Sequence, residues 1–120
     1  MAPEVAKRLL EASAACAAIR NFVSGVDAGG FAESILIRSA VERQFEIIGE
    51  ALGRAAREDP ALADLMPEIP RIVGLRNRLI HGYDSVDDQI VWDIVQTKLP
   101  ALQATLERQL TAEGFPTGST

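Results

Sequence analysis

The stretch that decides the fold is residues 37–52, which reads IRSAVERQFEIIGEAL. Apolar residues recur along it at helical steps, and they are Ile37, Val41, Phe45, Ile48 and Leu52. Steps of three and four residues place side chains on one face of an α-helix, and the charged residues between them mostly lie off that face. The pattern predicts a long amphipathic helix over residues 32–58.

The segment before this helix predicts another long helix, over residues 4–23. Its apolar positions again alternate between steps of four and three residues, and they are Val5, Leu9, Ala12, Cys16, Ile19 and Val23. Gly25 is expected to end the helix. Residues 24–30 then favour a loop, because Gly25, Asp27, Gly29 and Gly30 are residues typical of turns.

Prolines and glycines divide the second half of the chain. Pro60, Pro67 and Pro70 leave room for one short helix over residues 61–65. A third principal helix is predicted from Pro70 to Gly82, because proline is favoured in a first helical turn and glycine after a last one. Its predicted buried side consists of Ile72, Val73, Leu75, Leu79 and Ile80.

A fourth principal helix is predicted to begin at the Ser-x-x-acid signal formed by Ser85 and Asp88. Pro100 is expected to kink it, and Trp92 is expected to face the core. No strand-like alternation, hairpin signal or repeat occurs. The predicted fold is therefore all-α, an up-and-down bundle of four to five helices in one domain over residues 1–113, with a flexible tail over residues 114–120.

Composition restricts the function. The formal net charge of −5 argues against coating of nucleic acid by electrostatics alone. One cysteine, Cys16, excludes an internal disulfide bond, and one histidine without a CxxC or HExxH pattern argues against a zinc site. We expect neither a metal nor a cofactor. We find no signal peptide and no membrane-spanning run, which predicts a cytoplasmic protein without a membrane partner.

The segment GLRNRLIHGY, residues 74–83, holds the only histidine and the only tyrosine. On an ideal helix Asn77 and His81 share a face and Arg78 lies close to it, whereas Arg76 lies about 140° away from His81. The two could meet at one phosphate by the reach of the arginine, by local distortion of the helix or through a second subunit. Arg71 joins Arg76 and Arg78 in a predicted positive patch, since no acid lies between them.

The spacing of Arg76, His81 and Tyr83 resembles the Arg-x-x-x-x-His-x-Tyr motif of HepT-like toxins, which belong to the HEPN superfamily. Residues 45–51, FEIIGEA, resemble the second-helix segment of that family, and residues 91–95, VWDIV, resemble the start of its last helix. The similarity covers roughly residues 5–110 and includes every position of the motif.

This resemblance implies a HEPN-like helical homodimer that is the toxin of a toxin-antitoxin pair. It implies a metal-independent ribonuclease with a composite site at the subunit interface, in which Arg76 and His81 are catalytic and Asn77 follows the arginine as a polar residue. The implied partner is a minimal nucleotidyltransferase antitoxin that transfers AMP to Tyr83. The residue chemistry is compatible, because histidine can move a proton, Asn77 and Arg78 can bind substrate, and arginine suits an anionic phosphate.

Two other interpretations remain open. The chain could be a non-catalytic helical dimer that binds a nucleotidyltransferase and presents a nucleotide or Tyr83 to it. The motif could also be purely structural, with His81 complementing a helix end and with Arg76 or Arg78 paired to an acid on the long helix. The candidate acids are Glu42, Glu46 and Glu50.

Overall fold

The computed structural model describes residues 1–80 and 86–115, and all regular structure in these ranges is helical. In chain order the elements are α1 (Pro3–Phe22), α2 (Ala28–Glu33), α3 (Ile35–Glu58), α4 (Leu62–Leu65), α5 (Ile69–Ile80), α6 (Asp88–Asp93), a π-helical segment (Ile94–Lys98) and α7 (Leu99–Ala112). The predicted all-α fold is confirmed. The predicted helix end at Gly82 lies outside the described residues.

Helix α3 organises the bundle, because it packs against both α1 and α5, while α7 packs against α1. The apolar faces predicted for the two long helices are mostly buried: Val5, Leu9 and Ile19 of α1 and Phe45 and Ile48 of α3 all lie in one core. Val23 and Ile37, at the ends of these faces, are partly buried against it. Cys16 is also buried there, and burial raises the pKa of its thiol to about 12. The cysteine is therefore a small packing residue and not a nucleophile.

The loop predicted over residues 24–30 is wrong in its second half, where α2 begins at Ala28. The Asp27 side chain accepts a hydrogen bond of 2.7 Å from the Gly30 amide and so caps the helix. Phe31 is fully buried and packs against the half-buried Trp92, with ring centroids 5.2 Å apart. Capping and aromatic burial outweigh the low helix propensity of the glycines.

The α2 helix ends before Ser34, which caps α3 by accepting a hydrogen bond of 3.1 Å from the Ile37 amide. The long helix therefore starts at Ile35, three residues later than the predicted start. The cap of α6 is Asp87, which accepts from the Gln89 amide at 2.7 Å; Ser85 of the predicted start signal lies outside the described residues. In both places a short polar side chain satisfies a free amide in the first turn.

Near Pro100, where the sequence predicts a kink, a π-helical segment precedes α7. The Leu99 amide donates to the Ile94 carbonyl, five residues back. Proline lacks an amide hydrogen, and its ring crowds the carbonyl four residues earlier, so a wider turn accommodates it.

At the other end of α7, Gly114 has φ +80°, and the Phe115 amide donates to the Leu110 carbonyl at 2.9 Å. Residues 116–120, most of the predicted flexible tail, lie outside the described part.

Helix α5 is less buried than its apolar pattern predicts. Ile72, Val73, Leu75 and Leu79 are half-buried, and Ile80 is exposed, contrary to the prediction. The reason is that α5 packs mainly against one neighbour, α3. A groove of about 440 Å³ separates the rest of its apolar side from α7.

Candidate active site on helix α5

Helix α5 carries the described part of the motif on a regular α-helical turn. Arg76, Asn77 and Arg78 lie in its last turns, and Asn77 and Arg78 are exposed. His81 and Tyr83, the predicted proton-transfer group and the predicted modification site, lie outside the described residues. Of the two predicted catalytic residues, the structure therefore describes Arg76, with its contacts and its surroundings.

Gly49 of α3 allows the two helices to approach closely beneath Arg76. A methyl group placed on Gly49 would overlap with Cβ of Arg76 and would lie 2.9 Å from its Cγ and 3.3 Å from the Ile72 carbonyl oxygen. Contacts this short occur only when something moves, and here the obstacle includes backbone. Glycine at this position therefore lets the stem of the arginine lie across α3.

The Arg76 guanidinium makes two polar contacts. Its Nη2 lies 2.9 Å from Oε2 of Glu50, and its Nη1 donates to Oδ1 of Asn77 at 2.9 Å. This confirms one of the ion pairs considered from sequence. The Nε atom of Arg76 is buried and has no hydrogen-bond partner among the described residues. The side chain as a whole is 29% exposed, so its end is accessible while its stem is covered.

Glu50 joins two arginines. Its Oε1 accepts a hydrogen bond of 2.7 Å from Nε of Arg54, one turn along α3. This hydrogen bond, together with the positive charge of Arg76, holds the pKa of the Glu50 carboxyl group below its usual value. Glu50 is therefore ionised at neutral pH, and from α3 it holds the guanidinium of Arg76 on α5.

The contacts of the Arg76 guanidinium show how this side chain is directed relative to the helix face predicted for His81. Helix α5 is regular up to Ile80, so local distortion does not occur in its described part. The arginine instead bends around the helix toward Asn77, the residue that an ideal helix places on the face of His81. The reach of the side chain therefore brings the guanidinium toward the predicted catalytic face.

The predicted positive patch of three arginines does not form. Arg71 lines the groove between α5 and α7, Arg76 lines a groove between α1, α3 and α5, and Arg78 lines a third groove with Arg38, Glu42 and Asp88. The cause is helical geometry, because residues five and two positions apart point in different directions. Burial, with the nearby Asp88 carboxylate, raises the pKa of Glu42.

The groove beside Arg76 has a volume of about 180 Å³ and is called the arginine groove below. It is lined by Arg8 and Glu11 of α1, by Arg43, Glu46, Ile47, Glu50, Ala51 and Arg54 of α3, and by Arg76 and Ile80 of α5. Apart from Arg76 and the Glu46 and Glu50 pairing candidates, the sequence analysis missed these residues. Their charges lie off the apolar faces, so hydrophobic periodicity does not identify them.

Two further observations concern bound groups and membranes. In residues 1–80 and 86–115, no three His, Cys, Asp or Glu side chains are grouped so that they could hold a metal ion. No helix within the same ranges combines the length and the apolar character needed to span a bilayer.

Comparison with known proteins identifies the family of this chain. The family model described as "Ribonuclease HepT-like" matches residues 12–109. The chain belongs to the HepT-like ribonuclease family. The matched range contains α3, α5 and the whole motif, and it agrees with the resemblance found from the motif and its flanking segments.

Individual relatives of this HepT-like chain have ribonuclease names. "Putative RNase MJ1380" of Methanocaldococcus jannaschii is 38% identical over 89 residues, which cover 72% of this chain and 79% of the relative. "Probable ribonuclease HepT" of Thermococcus cleftensis is 37% identical over 71 residues, 58% of this chain and 62% of the relative. "Putative RNase TTE0752" of Caldanaerobacter subterraneus is 28% identical over 100 residues, 82% of this chain and 87% of the relative. No solved structure matches the chain.

Proposed function

We propose that this HepT-like protein is a metal-independent endoribonuclease and the toxin of a toxin-antitoxin pair. The observation that supports this most directly is the position of the Arg76 guanidinium, which is anchored by Glu50 and directed to Asn77 on the predicted catalytic face. Membership of a ribonuclease family supports the same activity. We propose that the pair acts in the cytoplasm, where RNA and ATP are available to it.

In the proposed reaction, the 2′-hydroxyl of RNA attacks the adjacent phosphorus atom. A bond forms between phosphorus and the 2′-oxygen, the bond to the 5′-oxygen breaks, and the products carry a 2′,3′-cyclic phosphate and a 5′-hydroxyl. His81 takes the proton from the 2′-hydroxyl or gives one to the leaving oxygen, and Arg76 stabilises the anionic transition state. Asn77 and Arg78, both exposed on α5, bind the substrate.

The proposed active form is a homodimer with a composite site. Helix α5 supports this assembly because its outer side is open: apart from Gly74, its two chain neighbours and the adjoining helix backbone, no atom of the described residues lies within 4 Å of the place where a Cβ atom of Gly74 would be. Two copies that meet along this side would bring both sets of motif residues into one anion-binding pocket. Because the chain has a net charge of −5 and RNA is also negative, arginines from two subunits would provide the local positive charge that binding requires.

The proposed partner is a minimal nucleotidyltransferase antitoxin that transfers AMP from ATP to the Tyr83 hydroxyl, releasing pyrophosphate. The modification would add an anion and a bulky base two residues from His81. It would therefore compete with RNA for the arginines by both charge and volume. Regulation in this proposal acts directly at the active site.

Cleavage of RNA in the presence of EDTA tests the enzyme proposal. The wild-type protein should produce 2′,3′-cyclic phosphate ends, and His81→Ala should fold normally but lose about a hundredfold to ten-thousandfold in rate. Full activity in His81→Ala would exclude the mechanism. Absence of cleavage by the wild type, combined with AMP transfer by the partner, would favour a non-catalytic protein that presents Tyr83.

Mixing two inactive variants tests the composite site. If arginine and histidine of one site come from different subunits, Arg76→Ala and His81→Ala dimers that exchange subunits should recover part of the wild-type activity. Each variant alone is the control. No recovery, although mixed dimers form, would contradict this arrangement of the site.

Intact-mass measurement tests the modification. After incubation with the cognate nucleotidyltransferase and ATP, the wild type should gain mass in units of AMP, and Tyr83→Phe should not. An unchanged wild-type mass in the presence of an active partner would contradict the proposal. An equal gain in Tyr83→Phe would assign the modification to another residue.

A further inference from the structure

The arginine groove concentrates positive charge in an acidic chain. Four arginines and three glutamates line it, so its side chains carry a net positive charge, whereas the whole chain has a formal net charge of −5. Among the described residues, the cations that line it are all arginines, and they come from three helices, α1, α3 and α5. Arginine offers several donors in a planar fork, which suits the oxygen atoms of a phosphate.

The donors of the groove exceed the acceptors that the described residues provide. Glu50 binds both Arg54 and Arg76, and Glu11 lies 3.4 Å from Arg8. Arg43 is exposed and has no ion pair within the described ranges. The Nε atoms of Arg8 and Arg76 are buried and find no hydrogen-bond partner there. These two Nε atoms are covered, but the Arg8 and Arg76 side chains are partly exposed. An anion that enters the groove would supply acceptors to Arg43 and to the accessible nitrogen atoms of the other arginines.

The other two grooves do not share this character. The groove of Arg78 holds two arginines against two acids, Glu42 and Asp88. The groove between α5 and α7 is mainly apolar, with Arg71 and Lys98 beside Glu68. The arginine groove is also the one that contains Arg76, so an anion bound there lies next to the proposed catalytic arginine.

We infer that the arginine groove binds backbone phosphates of the RNA chain next to the bond that is cleaved. This inference rests on the proposed ribonuclease function. Arg43 and Arg8 contact the flanking phosphates, and Arg54 adds charge while it is shared with Glu50. Among the described residues, no aromatic side chain on which a base could stack lines the groove, so the contacts of these arginines position RNA without reading its sequence.

Binding of a non-cleavable RNA tests the groove independently of catalysis. The probe is a fluorescent, fully 2′-O-methylated oligonucleotide of about ten nucleotides, a length in the range that single-strand grooves cover. Arg43→Gln should weaken its binding by about fivefold to tenfold relative to wild type. The slope of log affinity against log salt should fall by about 0.7, the value for one lost contact to a single strand.

Arg108→Gln is the matched control. Arg108 is exposed on α7, bonds to Thr105 of its own helix at 3.1 Å, and does not line the arginine groove. The variant changes the net charge equally and should leave binding close to that of wild type. Equal weakening by Arg43→Gln and Arg108→Gln, or no weakening by either, would overturn the inference.

Substrate length gives a second readout. For a cleavable RNA of about ten nucleotides, Arg43→Gln should raise KM by a similar factor and leave kcat nearly unchanged. For a dinucleotide, which has no flanking phosphate, both constants should match those of wild type. An equal loss on both substrates would assign Arg43 to the reaction centre and overturn the inference. If the wild type cleaves neither substrate, the ribonuclease proposal fails, while the non-cleavable probe still decides whether the groove binds RNA.

Discussion

Two glycines show how differently the two sides of α5 are used. Gly49 of α3 faces the inner side, where an added methyl group would lie 2.9 Å from Cγ of Arg76 and would overlap with its Cβ. Gly74 of α5 faces outward, and beyond its chain neighbours and the adjoining helix backbone no atom of the described residues lies within 4 Å of its missing Cβ. The first glycine is explained by packing within the chain. The second is not, although glycine inside a helix costs about 0.5–1 kcal/mol relative to alanine.

Helix α5 is therefore fixed on one side and open on the other. Its inner side sets where the stem of Arg76 runs, and Glu50 sets where the guanidinium ends. Its outer side carries the exposed Asn77 and Arg78. A helix of this kind can keep an arginine positioned while it leaves a face free for RNA or for a second copy.

The largest expected effect is on activity, from Arg76→Ala. Loss of one preorganised donor to a transition-state anion typically lowers kcat by about a hundredfold to a thousandfold. The crossing with α3 should persist, because alanine retains the Cβ atom that lies over Gly49. Arg71→Ala, on the same helix but in another groove, is the control. Equal kcat/KM values for the two variants would remove Arg76 from the active site.

Gly49→Ala should destabilise the fold. Overpacking of a close helix crossing typically costs about 1–3 kcal/mol, and urea unfolding should show the loss as a lower midpoint. Combination with Arg76→Ala should give no rescue, because the overlapping atom is Cβ. A stability equal to that of wild type would show that α3 and α5 can separate at no cost, and the inner side would not be fixed.

Glu50→Gln should lower kcat/KM by about tenfold, the equivalent of about 1.4 kcal/mol, because Arg76 loses its charged anchor. The fold should be retained, since both partners are partly exposed. Glu46→Gln, one turn earlier on α3 and in the same groove, is the matched control. If both variants lose activity equally, the effect comes from groove charge and not from positioning of Arg76.

The pH dependence of stability checks the same ion pair. The pKa of Glu50 is held below its usual value, first by the hydrogen bond from Arg54. Its stabilising contribution is therefore complete above the usual carboxyl pKa and is lost as the pH falls through the lowered value. The stability difference between wild type and Glu50→Gln should be constant near neutral pH and should shrink in acid. A difference that grows as the pH falls would contradict this assignment.

The smallest expected effect is from Gly74→Ala. Alanine should raise the free energy of unfolding by about 0.5–1 kcal/mol, because its methyl group meets open space and improves helix propensity. Measurements at low protein concentration isolate the single chain. If the same variant lowers stability or activity only at concentrations where dimers form, a partner chain approaches α5 at this residue.

Some of this fold follows from local patterns. The helical spacing of apolar residues correctly predicts α1 and α3, because each buries one continuous face. The loop predicted over residues 24–30 shows the limit of composition. The glycines there predict a loop, but the cap from Asp27 and the burial of Phe31 stabilise helix α2 instead. The exposure of Ile80 shows that an apolar pattern does not specify how many neighbours a helix has.

The site divides in the same way. The motif spacing and its flanking segments correctly predict the family. The separation of about 140° between Arg76 and His81 on an ideal helix stays a prediction. The arginine groove could not be predicted, because its residues come from three helices that are distant in sequence. His81 and Tyr83 lie outside the described residues, so their roles stay predictions.

The order and spacing of nearby residues are enough to predict that the chain forms helices, which faces of α1 and α3 are largely buried and which family the chain belongs to. Only the tertiary structure decided that Gly49 admits the stem of Arg76, that Glu50 anchors its guanidinium and that four arginines share one groove. The physical reason is that the end of a long side chain is positioned by contacts across helices, and those contacts exist only after the helices pack.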